Sequence, residues 1–242
     1  MPLCEFTDQD RALFREMRVL VLCPIMHSEV LFWRSLANMI AFSWDQGLRV
    51  EQLAITNRVV VDWARNDLAR TALEGNSYFT DQPFTHFLWL DSDHTFNPDL
   101  ACRLASHNVD MASALYFGRT NYLPVVYVKD QNDPDEYKHF PLIEYPAMLF
   151  EADAVGFGAC LTRREVFERV PEPWFTLDWR AGEDIAFCTK ARQHGVKIHV
   201  DGQYKLGHIG EPPIIGEQDY LKHLEDNADK YKDKVRVSLE DR

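Results

Sequence analysis

The apolar run Phe87 to Leu90 ends abruptly on Asp91-Ser92-Asp93, inside the stretch HFLWLDSDHTFNPD that runs from His86 to Asp99. A buried strand that delivers two carboxylates to its own end can hold a divalent metal. The residues that follow supply the break such a site needs. Asn97-Pro98 reads as an N-cap followed by proline at the first helical position, with Asp99 in the first turn, so a helix is expected just past the acidic pair. Hard cations such as Mg²⁺ and Mn²⁺ take oxygen ligands and are commonly held by one or two carboxylates plus substrate phosphates. A site this sparse fits that pattern, with the phosphates coming from a nucleotide-linked substrate.

Other readings compete for the same residues. Asp91 and Asp93 could serve only as turn and cap residues that satisfy backbone N–H groups. An EF-hand loop also opens on D-x-D, but it needs glycine at its sixth position and glutamate at its twelfth, where this chain has Phe96 and Cys102. Asp91-Ser92-Asp93-His94-Thr95 after an apolar strand also resembles the D-x-D-x-T nucleophile motif of haloacid-dehalogenase-type phosphatases, in which Asp91 would attack phosphorus directly.

The elements that must position these residues alternate as a mainly parallel sheet flanked by helices requires. Strands are predicted at 18–23, 49–56, 85–90 and 111–116, with extended chain at 124–128. Helices are predicted at 29–44, at 61–73 with Trp63, Leu68 and Ala72 on one side, and at 98–107. The polar loop Asn132 to Glu136 reads as an excursion or lid, because the apolar pattern resumes at Phe140. The 242 residues, 46% hydrophobic, suffice for one α/β domain over 1–242, closing in a charged helix at about 217–236. No run of about 18 apolar residues predicts stable membrane insertion. Five scattered cysteines without a C-x-x-C pair argue against a disulfide framework or structural zinc and predict a reducing, cytoplasmic setting, the host cytoplasm if the protein is viral. A net charge of -12 disfavours a broad nucleic-acid interface, leaving at most a local basic groove around Arg163, Arg164 and Arg169.

The second half of the chain holds three further features. Val155-Gly156-Phe157-Gly158-Ala159 reads as a glycine-bearing turn into a strand and then a helix, where small residues would let backbone approach a ligand. Gly182-Glu183-Asp184 places a second acidic pair at a helix start, where backbone N–H groups would hold the Asp184 carboxylate ionised at neutral pH. Leu206-Gly207-His208-Ile209-Gly210 sets a histidine between glycines.

In this order, the pieces resemble the GT-A glycosyltransferases, especially the small family-2-like enzymes of bacteria and bacteriophages, over roughly residues 18–210. The resemblance implies a GT-A fold with a mainly parallel central sheet flanked by helices. It implies a nucleotide site at Val19 to His27, including Pro24 and His27, with Arg65 and Asn66 contributing from the next helix. Asp91, Ser92 and Asp93 would bind Mn²⁺ or Mg²⁺ and the donor's diphosphate, with His208 completing the metal set. Gly156 and Gly158 would line the sugar site, and Trp174, in Pro173-Trp174-Phe175, would stand near the acceptor. Asp184, beside Glu183, would be the catalytic base of an inverting transfer. The partner so implied is a nucleotide-diphosphate sugar, most simply a UDP-sugar, with a glycan, a protein or a hydroxylated DNA base as acceptor. The phosphatase reading fares worse, because its nucleophile strand normally opens the domain and no lysine motif follows at the expected position. A sugar-nucleotide-binding module without turnover is the third reading, opposed by the joint presence of Asp91, Asp93, Asp184 and His208.

Overall fold

The computed structural model of the chain describes residues 3–25, 27, 29–57, 60–132, 138–177, 181–210 and 214–231. In chain order the elements are α1 (Asp8–Arg15), β1 (Arg18–Pro24), α2 (Val30–Asp45), β2 (Arg49–Thr56), α3 (Val61–Glu74), β3 (His86–Leu90), β4 (His94–Thr95), α4 (Leu100–Ser106), β5 (Met111–Leu115), β6 (Val126–Lys129), β7 (His139–Pro141), β8 (Leu149–Ala152), β9 (Ala154–Val155), β10 (Ala159–Arg163), α5 (Arg164–Arg169), α6 (Glu183–Gln193), β11 (Ile198–Lys205), β12 (Gly207–Ile209), β13 (Ile214–Ile215), α7 (Glu217–Asp226) and α8 (Ala228–Tyr231). Among the described residues, a seven-stranded sheet in the order β2-β1-β3-β10-β5-β11-β8 forms the centre. Strands β2, β1, β3, β5 and β11 run parallel, while β10 and β8 run against them.

The sheet is covered on both faces, which is why its strands read as continuous apolar runs rather than as alternating ones. Val19, Val21, Leu88 and Leu90 pack with Phe14 of α1, Phe32 and Met39 of α2 and Leu104 of α4. The intervening Leu20, Leu22, Phe87 and Trp89 pack on the other side with Leu68 of α3, Phe167 of α5 and Phe187 of α6. Each such fully buried side chain contributes roughly 1.5–3 kcal/mol of transfer free energy, so the strand ends are held by a core on either side. Two three-stranded sheets, β13-β12-β4 and β7-β6-β9, complete the fold.

Several local expectations need correction. Trp63 does not share a side with Leu68 and Ala72; the buried stripe of α3 runs through Ala64, Leu68 and Ala72 at a spacing of four, and Trp63, one residue off it, is 58% exposed. Asn97 does not cap α4. The helix begins at Leu100, and the buried Asp99 at the N-cap position turns its carboxylate away to accept from the Cys4 backbone N–H (2.8 Å) and the Tyr204 hydroxyl (3.2 Å). The C-terminal segment is two short helices that meet at Asn227, and residues 232–236 of the expected helix lie outside the described residues. So do residues 133–136 of the polar loop. All five cysteines are free thiols. No helix among the described residues is long and apolar enough to cross a membrane. Arg163, Arg164 and Arg169 form no open groove: they are engaged by Asn108, Glu168 and Asp110, and β10 places Arg163 beside His86, at the opposite end of β3 from Asp91.

Candidate active site

The carboxyl ends of the parallel strands open onto a cleft of ≈ 430 Å³, bordered by Pro24 past β1, Asp91 past β3 and Tyr116 past β5. Open α/β sheets bind ligands at this end, and the volume suits a small molecule. The sequence-derived residues Pro24, His27, Arg65, Asp91, Ser92, Asp93, Glu183 and Asp184 all line it. Five lining carboxylates face two arginines, a formal excess of three negative charges. A diphosphate would be repelled from such a cleft unless a cation entered with it.

Asp93 and His208 come together through the β12–β4 pairing. Its register sets His94 directly opposite His208, and the two rings stack with centroids 4.4 Å apart and 15° between planes. The His208 Nδ1 lies 2.7 Å from the Phe117 carbonyl oxygen. A carbonyl can only accept, so Nδ1 carries a proton; Nε2 faces Asp93 Oδ2 at 3.3 Å, donating to it when the ring is protonated and presenting a lone pair to it when the ring is neutral. With the ring neutral, the two facing lone pairs leave a place for a cation between them. His94 is buried beside them: its Nε2 has no hydrogen-bond partner, and its Nδ1 lies 3.1 Å from Asp93 Oδ1. Ligand atoms of Asp93, His94 and His208 all lie within 4.8 Å of one another. Burial works to raise the Asp93 carboxyl, but the imidazoles of His208 and His94 outweigh it and hold the group far below the usual carboxylate range. The three residues fit a divalent metal, and two imidazoles with one carboxylate suit Mn²⁺ better than Mg²⁺, which prefers an all-oxygen shell.

Asp91 stands outside that cluster. Its Oδ1 accepts from Arg65 Nη2 at 3.0 Å, and Arg65 Nε donates to Glu183 Oε1 at 3.1 Å. Arg65 is therefore no surface cation on α3. It is buried, with its guanidinium 5.5 Å from the Phe157 ring centroid, and the two carboxylates that neutralise it raise its pKa despite the opposing effect of burial. Its charge orders Asp91 and Glu183 rather than adding free positive charge beside a nucleotide. Asp184, the next residue on α6, points into the same cleft with its Oδ1 on the Ile185 N–H at 2.8 Å. Burial first, and then the neighbouring Glu183 charge, push its carboxyl up to about 6. The helix start therefore does not hold Asp184 down; the group is still mostly ionised at pH 7, and more basic than an ordinary aspartate.

Three other expected contacts are structural. Asn66 is buried, donating to the Phe175 carbonyl (2.6 Å) and accepting from the backbone N–H groups of Trp174 and Phe175 (3.0 and 3.1 Å), so it fixes that segment instead of meeting a ligand. Trp174 is 4% exposed and its Nε1 donates to the Phe167 and Val170 carbonyls, which places it in the core. Ser92 lines the cleft but hands its hydroxyl to the His27 carbonyl at 3.1 Å, tying two site loops together. The glycines admit side chains rather than a ligand: a Cβ at Gly156 would run into the Tyr116 hydroxyl, and one at Gly158 would lie 2.7 Å from His94 Cε1 and 2.8 Å from Tyr116 Cζ. Gly158→Ala should accordingly cost about 1–3 kcal/mol and weaken Mn²⁺ binding through His94. Urea unfolding with an unchanged m-value and a lowered midpoint, alongside a Mn²⁺ titration, measures both; an unshifted midpoint would show that His94 and Tyr116 are not packed against this glycine.

Sequence reasoning missed His94, Tyr116 and Arg119. His94 stood in plain view after the acidic pair, but a two-residue strand has no periodicity from which its partner could be read. Tyr116, whose hydroxyl accepts from the Gly158 N–H at 3.3 Å and is held neutral by burial beside Asp91 and Asp184, follows β5 with no local signal. Arg119 lies in a loop.

No protein-family model matches the sequence, and no curated protein does either. Solved structures do. A197 from STIV superposes with a TM-score of 0.55 at 22% identity, covering 83% of this chain and 94% of that one. GalNAc-T7, determined with UDP, GalNAc and Mn²⁺, superposes with a TM-score of 0.50 at 13% identity, covering 90% of this chain and 50% of that one. The chain has the GT-A fold. Within it, the acidic strand end falls on the third strand of the chain, between β1 and β10, where the sheet opens onto the cleft.

Proposed function

We propose that this protein is a metal-dependent glycosyltransferase that moves a sugar from a nucleotide diphosphate to an acceptor hydroxyl. The observation that carries the reading is that Asp93, clustered with the buried His94 and His208 just behind it, lines the same cleft of a GT-A fold as the Asp184 carboxyl. Asp93, His94 and His208 would hold Mn²⁺, which when bound supplies positive charge for the donor's diphosphate and for the charge that gathers on it as it leaves. UDP and Mn²⁺ in the GalNAc-T7 structure support that choice of nucleotide and metal.

The chain's own residues then do the following. The loop at Pro24 and His27 forms the wall beside β1 against which the nucleotide rests. Arg65 holds Asp91 and Glu183 in fixed positions on either side of the reaction zone. As the acceptor oxygen bonds to the anomeric carbon and the bond to the diphosphate breaks, with its electron pair leaving on phosphate oxygen, Asp184 takes the acceptor's proton on a carboxylate oxygen. A base near pH 6 is matched to that task, since it is mostly ionised at neutral pH yet retains useful proton affinity. Turnover of nucleotide-sugars under Mn²⁺, with the nucleoside diphosphate as product, is the experiment that tests the assignment.

Asp91 is not a phosphoryl-accepting nucleophile in this reading but a partner of Arg65, which donates to its Oδ1. Incubation with p-nitrophenyl phosphate should release no phosphate, and intact-protein mass spectrometry should find no phosphorylated Asp91. An aspartyl phosphate at that residue would restore the phosphatase reading.

A further inference from the structure

Arg119 has an unusual relation to the metal cluster. It sits in the loop between β5 and β6, its side chain is 54% exposed, and its Nη1 lies 3.3 Å from Asp93 Oδ2, the same oxygen that faces His208 Nε2. Its aliphatic stem lies along Gly210, where a Cβ would meet Arg119 Cδ at 3.2 Å and Cγ at 3.3 Å. The loop turns sharply around it: the Tyr122 N–H donates to the Gly118 carbonyl at 3.0 Å, and Tyr122 itself has a φ of 56°. The guanidinium thus occupies the approach to the one carboxylate of the cluster, on a long side chain whose other surface is open to solvent and to the cleft.

We propose that Arg119 is an exchangeable counter-cation: it pairs with Asp93 while the metal is away, is displaced when a divalent ion takes that carboxylate, and then pairs with the diphosphate of the incoming nucleotide. The proposal rests on the metal-dependent nucleotide reading of the same cleft. A guanidinium matches a phosphate with two parallel N–H groups as well as it matches a carboxylate, and the nucleotide provides the only new anion the exchange needs. The arrangement couples the two ligands. Metal binding alone must break the Arg119–Asp93 pair without replacement, whereas metal binding with the nucleotide present gives Arg119 a new partner.

The coupling, not either affinity, is the test, because removing any nearby positive charge would tighten a metal and loosen an anion without an exchange. The measurement is calorimetric titration of Mn²⁺ into wild type, Arg119→Ala and Arg119→Lys, each alone and with whichever of UDP, GDP, ADP or CDP raises wild-type Mn²⁺ affinity most. The ratio of the two affinities is the coupling factor. An exposed ion pair predicts that the wild-type factor exceeds that of Arg119→Ala by about threefold, with Arg119→Lys recovering part of the difference. Equal factors in wild type and Arg119→Ala would overturn the exchange while leaving the metal site standing. A wild-type protein that takes up no Mn²⁺ under any of these conditions would overturn the underlying reading, and the exchange with it.

Discussion

Replacing Asp184 by asparagine is expected to lower sugar transfer by about 10²-fold or more, the span usual for a positioned general base, while Mn²⁺ and nucleotide affinities stay near wild type. The substitution keeps the shape and the oxygen that accepts from the Ile185 N–H but removes the basicity. In wild type the acid limb of kcat/KM against pH should fall tenfold per unit below about 6, where burial and Glu183 place the carboxyl, and reach a plateau above it. Thermal stability supplies an independent sign. The folded state holds the Asp184 proton more tightly than the unfolded chain, so the stability this group contributes is lost as pH rises from about 4 through about 6, and asparagine does not incur that loss. The variant's Tm at pH 7.5 should therefore equal or exceed that of wild type, a loss of activity without loss of stability. Glu183→Gln should behave differently: it leaves the buried Arg65 with a single compensating carboxylate and should lower stability more than it lowers the proton-transfer step. Near-normal turnover in Asp184→Asn would remove Asp184 from the chemistry, and a kcat loss confined to Glu183→Gln would move the base one residue earlier.

The second large effect is on the metal. Asp93→Ala, His94→Ala and His208→Ala should each abolish measurable Mn²⁺-dependent nucleotide binding, because each removes one of the three clustered protein ligands. His94→Ala is the most informative of the three. Apart from Asp93 its ring nitrogens have no polar partner to lose, so the variant should fold and lose metal together with nucleotide, whereas a purely packing role against Tyr116 and His208 would lower stability and leave Mn²⁺ affinity intact. Asp91→Ala should spare Mn²⁺ binding, since Asp91 is held by Arg65 and not by the cluster. Calorimetry with Mn²⁺, with and without a nucleoside diphosphate, reads all four variants, and unchanged affinity in the His208 variant would take that residue out of the metal site.

Strands β1, β3 and β5 were legible in the sequence because they are buried on both faces and so stand out as apolar runs, whereas β8 and β11, short or interrupted by polar residues such as His199, Asp201 and Gln203, were not read as strands. The acidic strand end, the helix-start pair at Glu183-Asp184 and the glycine-flanked His208 were legible for the same reason, each lying at the boundary of a strong pattern. What the sequence hid was which side chains meet. Asp91 and Asp93 look like one pair, yet the turn after Leu90 sends one to Arg65 and the other to two histidines. His94 acquires its place only through its cross-strand partner in β12, more than a hundred residues on. Asn66 and Trp174 sit at positions where the resemblance implied ligand contact, but Asn66 satisfies backbone groups that the chain at Trp174 and Phe175 carries into the core, and the Trp174 indole bonds to the Phe167 and Val170 carbonyls. Gly156 and Gly158 were recognisable as places where something must come close; only the packing of Tyr116 and His94 says what.

The most direct test of metal-dependent nucleotide-sugar chemistry in this cleft is to incubate the protein with a panel of UDP-, GDP-, ADP- and CDP-sugars and follow release of the nucleoside diphosphate. Release is expected from one donor class, most simply a UDP-sugar, with Mn²⁺ more effective than Mg²⁺, and it should vanish on chelation and in Asp93→Ala. Absence of release from every donor, together with no rise in Tm when the same nucleotides and Mn²⁺ are added, would contradict it, since any ligand bound by the folded state must raise its stability.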